Sequence, residues 1–150
     1  MSTSTSGGVG SVLVVDANAI ISALLRGRSA QVFTRVDAAF TTTQRTVWEV
    51  KRYIPTIAAE LQARGAPASK ETDIEHDLER LPLRFEHEDS YAHCLAMAKQ
   101  IIERRDPDDV DILALTLHLC APLWTNDHDF DGIDEIQVIT TAELLALMGQ

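Results

Sequence analysis

Carboxylates close the short apolar runs of this 150-residue chain. Val12-Leu13-Val14-Val15 ends on Asp16, and Leu123-Trp124-Thr125-Asn126 ends on Asp127. Glu49 sits inside a helix-like segment from Arg45 to Ile57, and Asp108, Asp109 and Asp111 open another helix. Short apolar runs bounded this way read as buried strands, and in open α/β sheets ligands sit beyond the carboxyl ends of the strands. Two carboxylates about 4 Å apart repel by about 4 kcal/mol at an effective dielectric near 20. A hard divalent cation removes that repulsion, and all-oxygen ligation suits Mg²⁺ or Mn²⁺. A metal site is the chemistry to which these residues point.

Each acid alone also has an ordinary explanation. Asp108 suits a helix N-cap and Asp111 the third helical position, where the helix dipole favours both. Asp109 adds repulsion with no capping role. Asp16 and Asp127 suit turns after strands, and most helical glutamates are solvated. Glu49, however, lies between Val47 and Val50 of an apolar stripe, at the border of an interior. The joint pattern is more specific than its members: two acids end strands, one starts the helix feeding the second of them, and one projects from a helix. Asp127-His128-Asp129-Phe130-Asp131-Gly132 copies the first half of a calcium-binding helix–loop–helix loop. Its twelfth position is Val138 instead of Glu, and a strand precedes it, so that reading fails.

The elements that must position these acids follow from periodicity. Strands are expected at Val12 to Asp16, Ala39 to Thr42, Leu83 to Glu86, Leu123 to Thr125 and Ile136 to Ile139. Helices are expected at Ala19 to Leu25, Ala30 to Asp37, Thr46 to Gln62, Glu71 to Leu81, Tyr91 to Arg104, Asp109 to Leu119 and Thr141 to Met148, the last capped by Thr140 or Thr141. Pro55 should kink or split its helix. Alternating strands and helices predict an α/β fold of three layers, α/β/α, with a mostly parallel central sheet of about five strands. Residues 11–150 read as one domain behind a Ser/Thr/Gly-rich, disordered lead-in at residues 1–10.

The lead-in has neither the basic nor the apolar section of a secretory signal, and no apolar run approaches the roughly 20 residues of a membrane span. These features predict a cytoplasmic protein without membrane contact. Cys94 and Cys120 form no zinc-binding spacing and are expected as reduced core residues. A net charge of −10 excludes loose binding of nucleic acid through a broadly basic surface. It leaves room for a local basic rim: Arg26 and Arg28 after the first helix, and Arg45, Lys51 and Arg52 around Glu49.

Three blocks carry a resemblance to a known family: VLVVDANAIISALL, TVWEV and DPDDVDILALTLHLCAPLWTNDHDF. Together they resemble the PIN domain, whose best-known members are VapC-like toxins of toxin–antitoxin pairs. The resemblance implies a parallel sheet flanked by helices and metal-dependent ribonuclease activity, leaving a 5′-phosphate and a 3′-hydroxyl. It places the family's acids on Asp16, Glu49, Asp109 and Asp127, as catalytic residues and ligands of Mg²⁺ or Mn²⁺. Asp108, Asp111 and Asp129 become accessory acids, Asn18 a support for Asp16, and Thr125 a residue orienting Asp127. An RNA substrate, an antitoxin protein and a homodimer are the implied partners. Two other readings compete. One is a catalytically silent PIN-like module binding RNA or protein. The other is a haloacid-dehalogenase-like phosphatase, which needs a second acid where this chain has Asn18.

Overall fold

A computed structural model describes residues 11–102 and 106–149. The expected lead-in at residues 1–10 and the predicted helix end at Arg104 lie outside the described residues. Five strands form one all-parallel sheet: β1 (Val12–Val15), β2 (Ala39–Thr43), β3 (Leu83–Glu86), β4 (Leu123–Trp124) and β5 (Val138–Ile139), in the spatial order β3-β2-β1-β4-β5. β1 is central, with Leu13 opposite Phe40 on one side and Val15 opposite Trp124 on the other. The chain leaves β1 toward β2 and returns to β4 on the opposite side. The strand order therefore reverses between β1 and β4, the position where parallel sheets open a crevice.

Strand periodicity sorts the core into two halves. Leu13 and Val15 face a cluster built with α1 (Ala17–Leu24), α2 (Ser29–Arg35), α3 (Gln44–Ala63), α4 (Glu71–Arg80) and α8 (Thr141–Met148). Val14 faces a second cluster with α5 (Glu88–Tyr91), α6 (Leu95–Ile102) and α7 (Val110–Leu119). Phe33, Phe40 and Trp124 meet in the first, with ring centroids 4.8 to 5.9 Å apart. The arrangement is the predicted three-layer α/β/α fold, with the sheet parallel throughout. Among the described residues no helix is long and apolar enough to cross a membrane.

Three local expectations differ from what is observed. Pro55 does not split α3, which runs unbroken for 20 residues. Pro55 is exposed, so water can serve the carbonyl left without an amide partner, while Val50, Ile54, Ile57, Ala58 and Leu61 bury both halves of the helix. The helix expected from Tyr91 is broken into α5, a 3₁₀ turn at Ala92–Cys94, and α6. Here the buried Tyr91 fixes the first turn separately, its hydroxyl donating to Asp111 Oδ2 at 2.5 Å. The cysteines are not core residues: Cys94 is half-buried and Cys120 exposed. Helical periodicity stops at Leu119, and Cys120 caps α7 in the left-handed region at φ 52°, which turns its side chain outward.

Candidate metal centre

Asp16 is the residue after β1 and caps α1. Its Oδ1 accepts from the Ala17 amide at 2.8 Å, and its Oδ2 accepts from Thr125 Oγ1 at 2.8 Å and Asn18 Nδ2 at 3.1 Å. It is only 6% exposed. Burial raises its pKa above the ordinary carboxylate range; the bonds from Thr125 and Ala17 oppose the shift, while Asp127 and Asp106 add to it. Three donors thus favour the charged form of a carboxylate whose burial penalises it.

Thr125 connects the two strand ends. Its hydroxyl donates to Asp16, and its oxygen accepts from Asn18 Nδ2 and from the Asp127 amide, each at 3.0 Å. One hydrogen and both lone pairs are thereby used. Asn18 completes the link by accepting from the Asn126 amide at 3.1 Å. Asn126 is itself anchored to α8, donating to Thr141 Oγ1 and accepting from the Thr141 amide, each at 3.0 Å. Sequence offers Asn126 no role and Thr141 only that of a cap, which Thr140 takes; neither carries charge, and their pairing joins positions 15 residues apart.

Asp109 comes from the N-terminal end of α7, whose dipole favours negative charge there. Burial first, then Asp16, Asp106, Asp127 and Asp129, push its pKa up to about 8. Its Oδ2 is buried and has no hydrogen-bond partner. Glu49 projects from α3, which Thr43 caps at the end of β2 by accepting from the Thr46 amide at 2.9 Å. Burial, Asp108 and Asp16 raise Glu49 to about 7 against the pull of Arg45 and Arg52. Thus Asp16, Asp109 and Asp127 feel one another directly, and Glu49 feels Asp16.

Asp106 is an acid that the sequence reading passed over. It is half-buried, and one oxygen each from Asp106, Asp109 and Asp129 lie within 4.8 Å of one another. Oxygens around octahedral Mg²⁺ stand about 3.0 Å apart when adjacent and about 4.2 Å when opposed, so side-chain rotations would have to draw this set together by up to about 2 Å to close on an ion. The orphaned Asp109 oxygen and the all-carboxylate donor set both fit a hard divalent cation. Asp106-Pro107 was a legible signal, since an Asp before Pro is a turn former; here Asp106 Oδ1 accepts from the Asp108 amide at 2.9 Å.

The remaining sequence-selected residues fall elsewhere. Asp108 is exposed and pairs with Arg45 at 3.2 Å. Asp111 is occupied by the Tyr91 hydroxyl in a cleft lined also by Gln44, Arg45, Trp48, Arg52 and Glu88. Arg52 and Glu49 share a second cleft with Tyr53, Thr56, Ala17, Ile21 and Asp108. Lys51 lines a different groove, with Ile54, Leu78 and Phe85, on another face of α3. The Arg26 guanidinium donates to the carbonyls of Pro67 and Ala68, at 2.7 Å each, and Arg28 is an exposed residue at the start of α2. The loop resembling a calcium site forms a 3₁₀ turn at His128–Phe130, with Phe130 buried in the second core.

The sequence profile described as "PIN domain" matches residues 14–146. No curated protein matches the chain. Among solved structures, the chain is similar to one in the VapBC2 complex from Rickettsia felis bound to a DNA fragment from their promoter, with a TM-score of 0.62 and 10% identity over 86% of this chain and 98% of that one. It is also similar to a chain of a toxin–antitoxin complex from Klebsiella pneumoniae, with a TM-score of 0.58 and 20% identity over 86% of this chain and 97% of that one. At such identities the likeness is one of fold.

Proposed function

The chain belongs to the PIN domain family, and from that premise we propose that it is a metal-dependent ribonuclease, the toxin of a toxin–antitoxin pair. The observation that carries the reading is the link of Asp16 to the Asp127 amide through Thr125, together with the approach of Asp106, Asp109 and Asp129 oxygens to within 4.8 Å of one another and a buried Asp109 oxygen lacking any partner. Asp16, Asp109, Asp127 and Glu49 would hold Mg²⁺ or Mn²⁺, joined by Asp106 and Asp129, which each bring an oxygen within 4.8 Å of one from Asp109. When bound, such an ion stabilises charge developing on phosphoryl oxygens and lowers the pKa of water.

The chain's own residues supply the rest. Thr125 and Asn18 fix the Asp16 carboxylate, so that it needs no rearrangement when substrate arrives. Glu49, held near 7, and Asp109, held near 8, are the groups whose protonation a cation would shift. Arg45 and Arg52 flank Glu49 and can take phosphate oxygens. A cytoplasmic RNA substrate, an antitoxin partner and a homodimer belong to the same reading. The similar chains come from a VapBC2 complex and from a toxin–antitoxin complex, which supports the antitoxin partner.

The test is cleavage of single-stranded RNA by purified protein in Mn²⁺ or Mg²⁺, with a chelator control and the Asp16→Asn variant. The expected result is cleavage with either ion, none with chelator, and none from the folded variant. Full activity in Asp16→Asn, or in chelator, would sink the reading. Metal binding without cleavage of any RNA would favour a silent binding module instead.

A further inference from the structure

The face of α3 opposite its core stripe carries Arg45, Trp48, Glu49, Arg52, Tyr53 and Thr56, which recur at three- and four-residue spacing. Two of these are large rings left in water: Trp48 is 57% exposed and Tyr53 is 53% exposed. They flank Glu49. Trp48 lines the cleft with Arg45, Tyr91 and Asp111, Tyr53 lines the cleft with Glu49 and Asp108, and Arg52 lines both. The rings are five positions apart, or about 7.5 Å along the helix axis and about 140° around it. They therefore bracket the two arginines and the glutamate, one on each flank.

Resting on the ribonuclease reading, we propose that this face is the substrate platform: unpaired bases of single-stranded RNA stack on Trp48 and Tyr53 while the backbone between them crosses Arg45 and Arg52. Charge decides for stacking. A chain at net −10 cannot hold a polyanion by counterion release over a basic surface, so other contacts must supply most of the affinity. Base–aromatic stacking does this for any base sequence. The ion pair of Arg45 with Asp108 is exposed on both sides, and such pairs contribute so little that a phosphate can take its place. Duplex RNA offers no free base faces and does not fit the platform. Trp48 and Tyr53 are positioning residues here; the acids beside them would do the chemistry.

The chain has two tryptophans, and Trp124 is wholly buried, so exposed-tryptophan emission reports Trp48 alone. Wild-type protein is mixed with short oligouridylate or with duplex RNA in Ca²⁺, which neutralises carboxylates through oxygen ligation, and emission is read on mixing, before turnover. Oligouridylate is expected to quench Trp48 by half or more, and duplex RNA to leave it unchanged. By anisotropy of end-labelled oligouridylate, Trp48→Ala and Tyr53→Ala should each weaken binding about tenfold or more, with Trp48→Phe and Tyr53→Phe restoring it. The salt dependence should be shallow, at a log–log slope of about −1.4 for two phosphate contacts. Cleavage of RNA in Mn²⁺ without any quenching overturns the platform and leaves the nuclease reading intact. Quenching without cleavage supports the platform and removes the nuclease. Equal quenching by duplex overturns it too, as does shielding of Trp48 by a co-expressed protein and not by RNA, which would give this face to a protein partner.

Discussion

The Thr125 hydroxyl donates to Asp16 Oδ2 at 2.8 Å across 109 residues of sequence, while the same oxygen accepts from the Asp127 amide at 3.0 Å. One small side chain thus sets the spacing of the acids that end β1 and β4. Thr125→Val keeps the shape and removes both of these bonds and the one accepted from Asn18 Nδ2. It is expected to cut Mn²⁺ affinity and RNA cleavage by about 10–100-fold, the range for partners that orient metal ligands. Calorimetric titration and a cleavage assay would read both losses. A variant that binds and cleaves as wild type would leave Thr125 as packing only.

Asp109→Asn should have opposite effects with and without metal. In chelator at pH 8.5, a charge faced by Asp16, Asp106, Asp127 and Asp129 disappears, so the midpoint of thermal unfolding is expected to rise, by about 2–4 °C for each kcal/mol relieved. Added Mg²⁺ should raise the wild-type midpoint by mass action and barely move the variant. Melting curves with and without Mg²⁺ decide this. A variant less stable than wild type in chelator would mean that Asp109 is held by contacts rather than strained by its neighbours.

The same carboxylates make metal-free stability depend on pH. Asp109 moves from an ordinary 3.8 to about 8, and Glu49 from 4.5 to about 7. Between those limits the native chain keeps protons that the unfolded chain has released. Stability therefore falls as pH rises from about 4, and flattens once both folded values are passed near pH 8. Urea titrations in chelator from pH 5 to 9 should show this decline, with saturating Mg²⁺ flattening it. Ion binding at pH 7 should release protons, detectable as a buffer-dependent heat. Stability that rises through this window would contradict the burial of these groups.

Arg26 is expected to matter for stability more than for RNA. Its fork donates to the carbonyls of Pro67 and Ala68, and its backbone is in the left-handed region at φ 63°. Arg26→Lys loses the paired geometry and should destabilise by about 1–2 kcal/mol, from charge-assisted bonds that a lysine cannot match. Arg28→Glu should leave stability within about 0.5 kcal/mol, as exposed substitutions do. Chemical denaturation separates the two. An unaltered midpoint in Arg26→Lys would show the clasp to be unimportant.

The layers and the strand-end acids were legible because their signals are local. Val12 to Val15 is an apolar run too short for a helix, and Asp16 closes it. The Thr46 to Leu61 periodicity outlasts Pro55 because burial of one face outweighs a single missing bond. What was hidden depends on contacts between distant segments. The break at Ala92–Cys94 follows a tyrosine whose partner, Asp111, is 20 residues away. The outward turn of Cys120 depends on one residue's φ. Among Asp106, Asp108, Asp109 and Asp111, composition could not say which carboxylates turn inward, because a 3₁₀ turn at Pro107–Asp109 precedes α7 and shifts the facing from a simple helical register.

That shift gives a direct contrast between neighbours. Asp106 is half-buried with an oxygen near those of Asp109 and Asp129, and it raises the pKa of both Asp16 and Asp109. Asp108 is exposed and bound to Arg45. Asp106→Asn keeps an oxygen able to accept the Asp108 amide, so the turn before α7 survives while a charge leaves the cluster. It is expected to weaken Mn²⁺ binding and cleavage by about tenfold or more, on the scale of a group that supports metal ligands. Asp108→Asn breaks only an exposed pair, worth about 0–1 kcal/mol, and should change metal affinity less than threefold. Calorimetric titration of both variants against wild type reads the contrast. If Asp108→Asn proved the more damaging of the two, the inward-facing acid would have been misplaced, and the ion would lie toward Glu49 and Arg45.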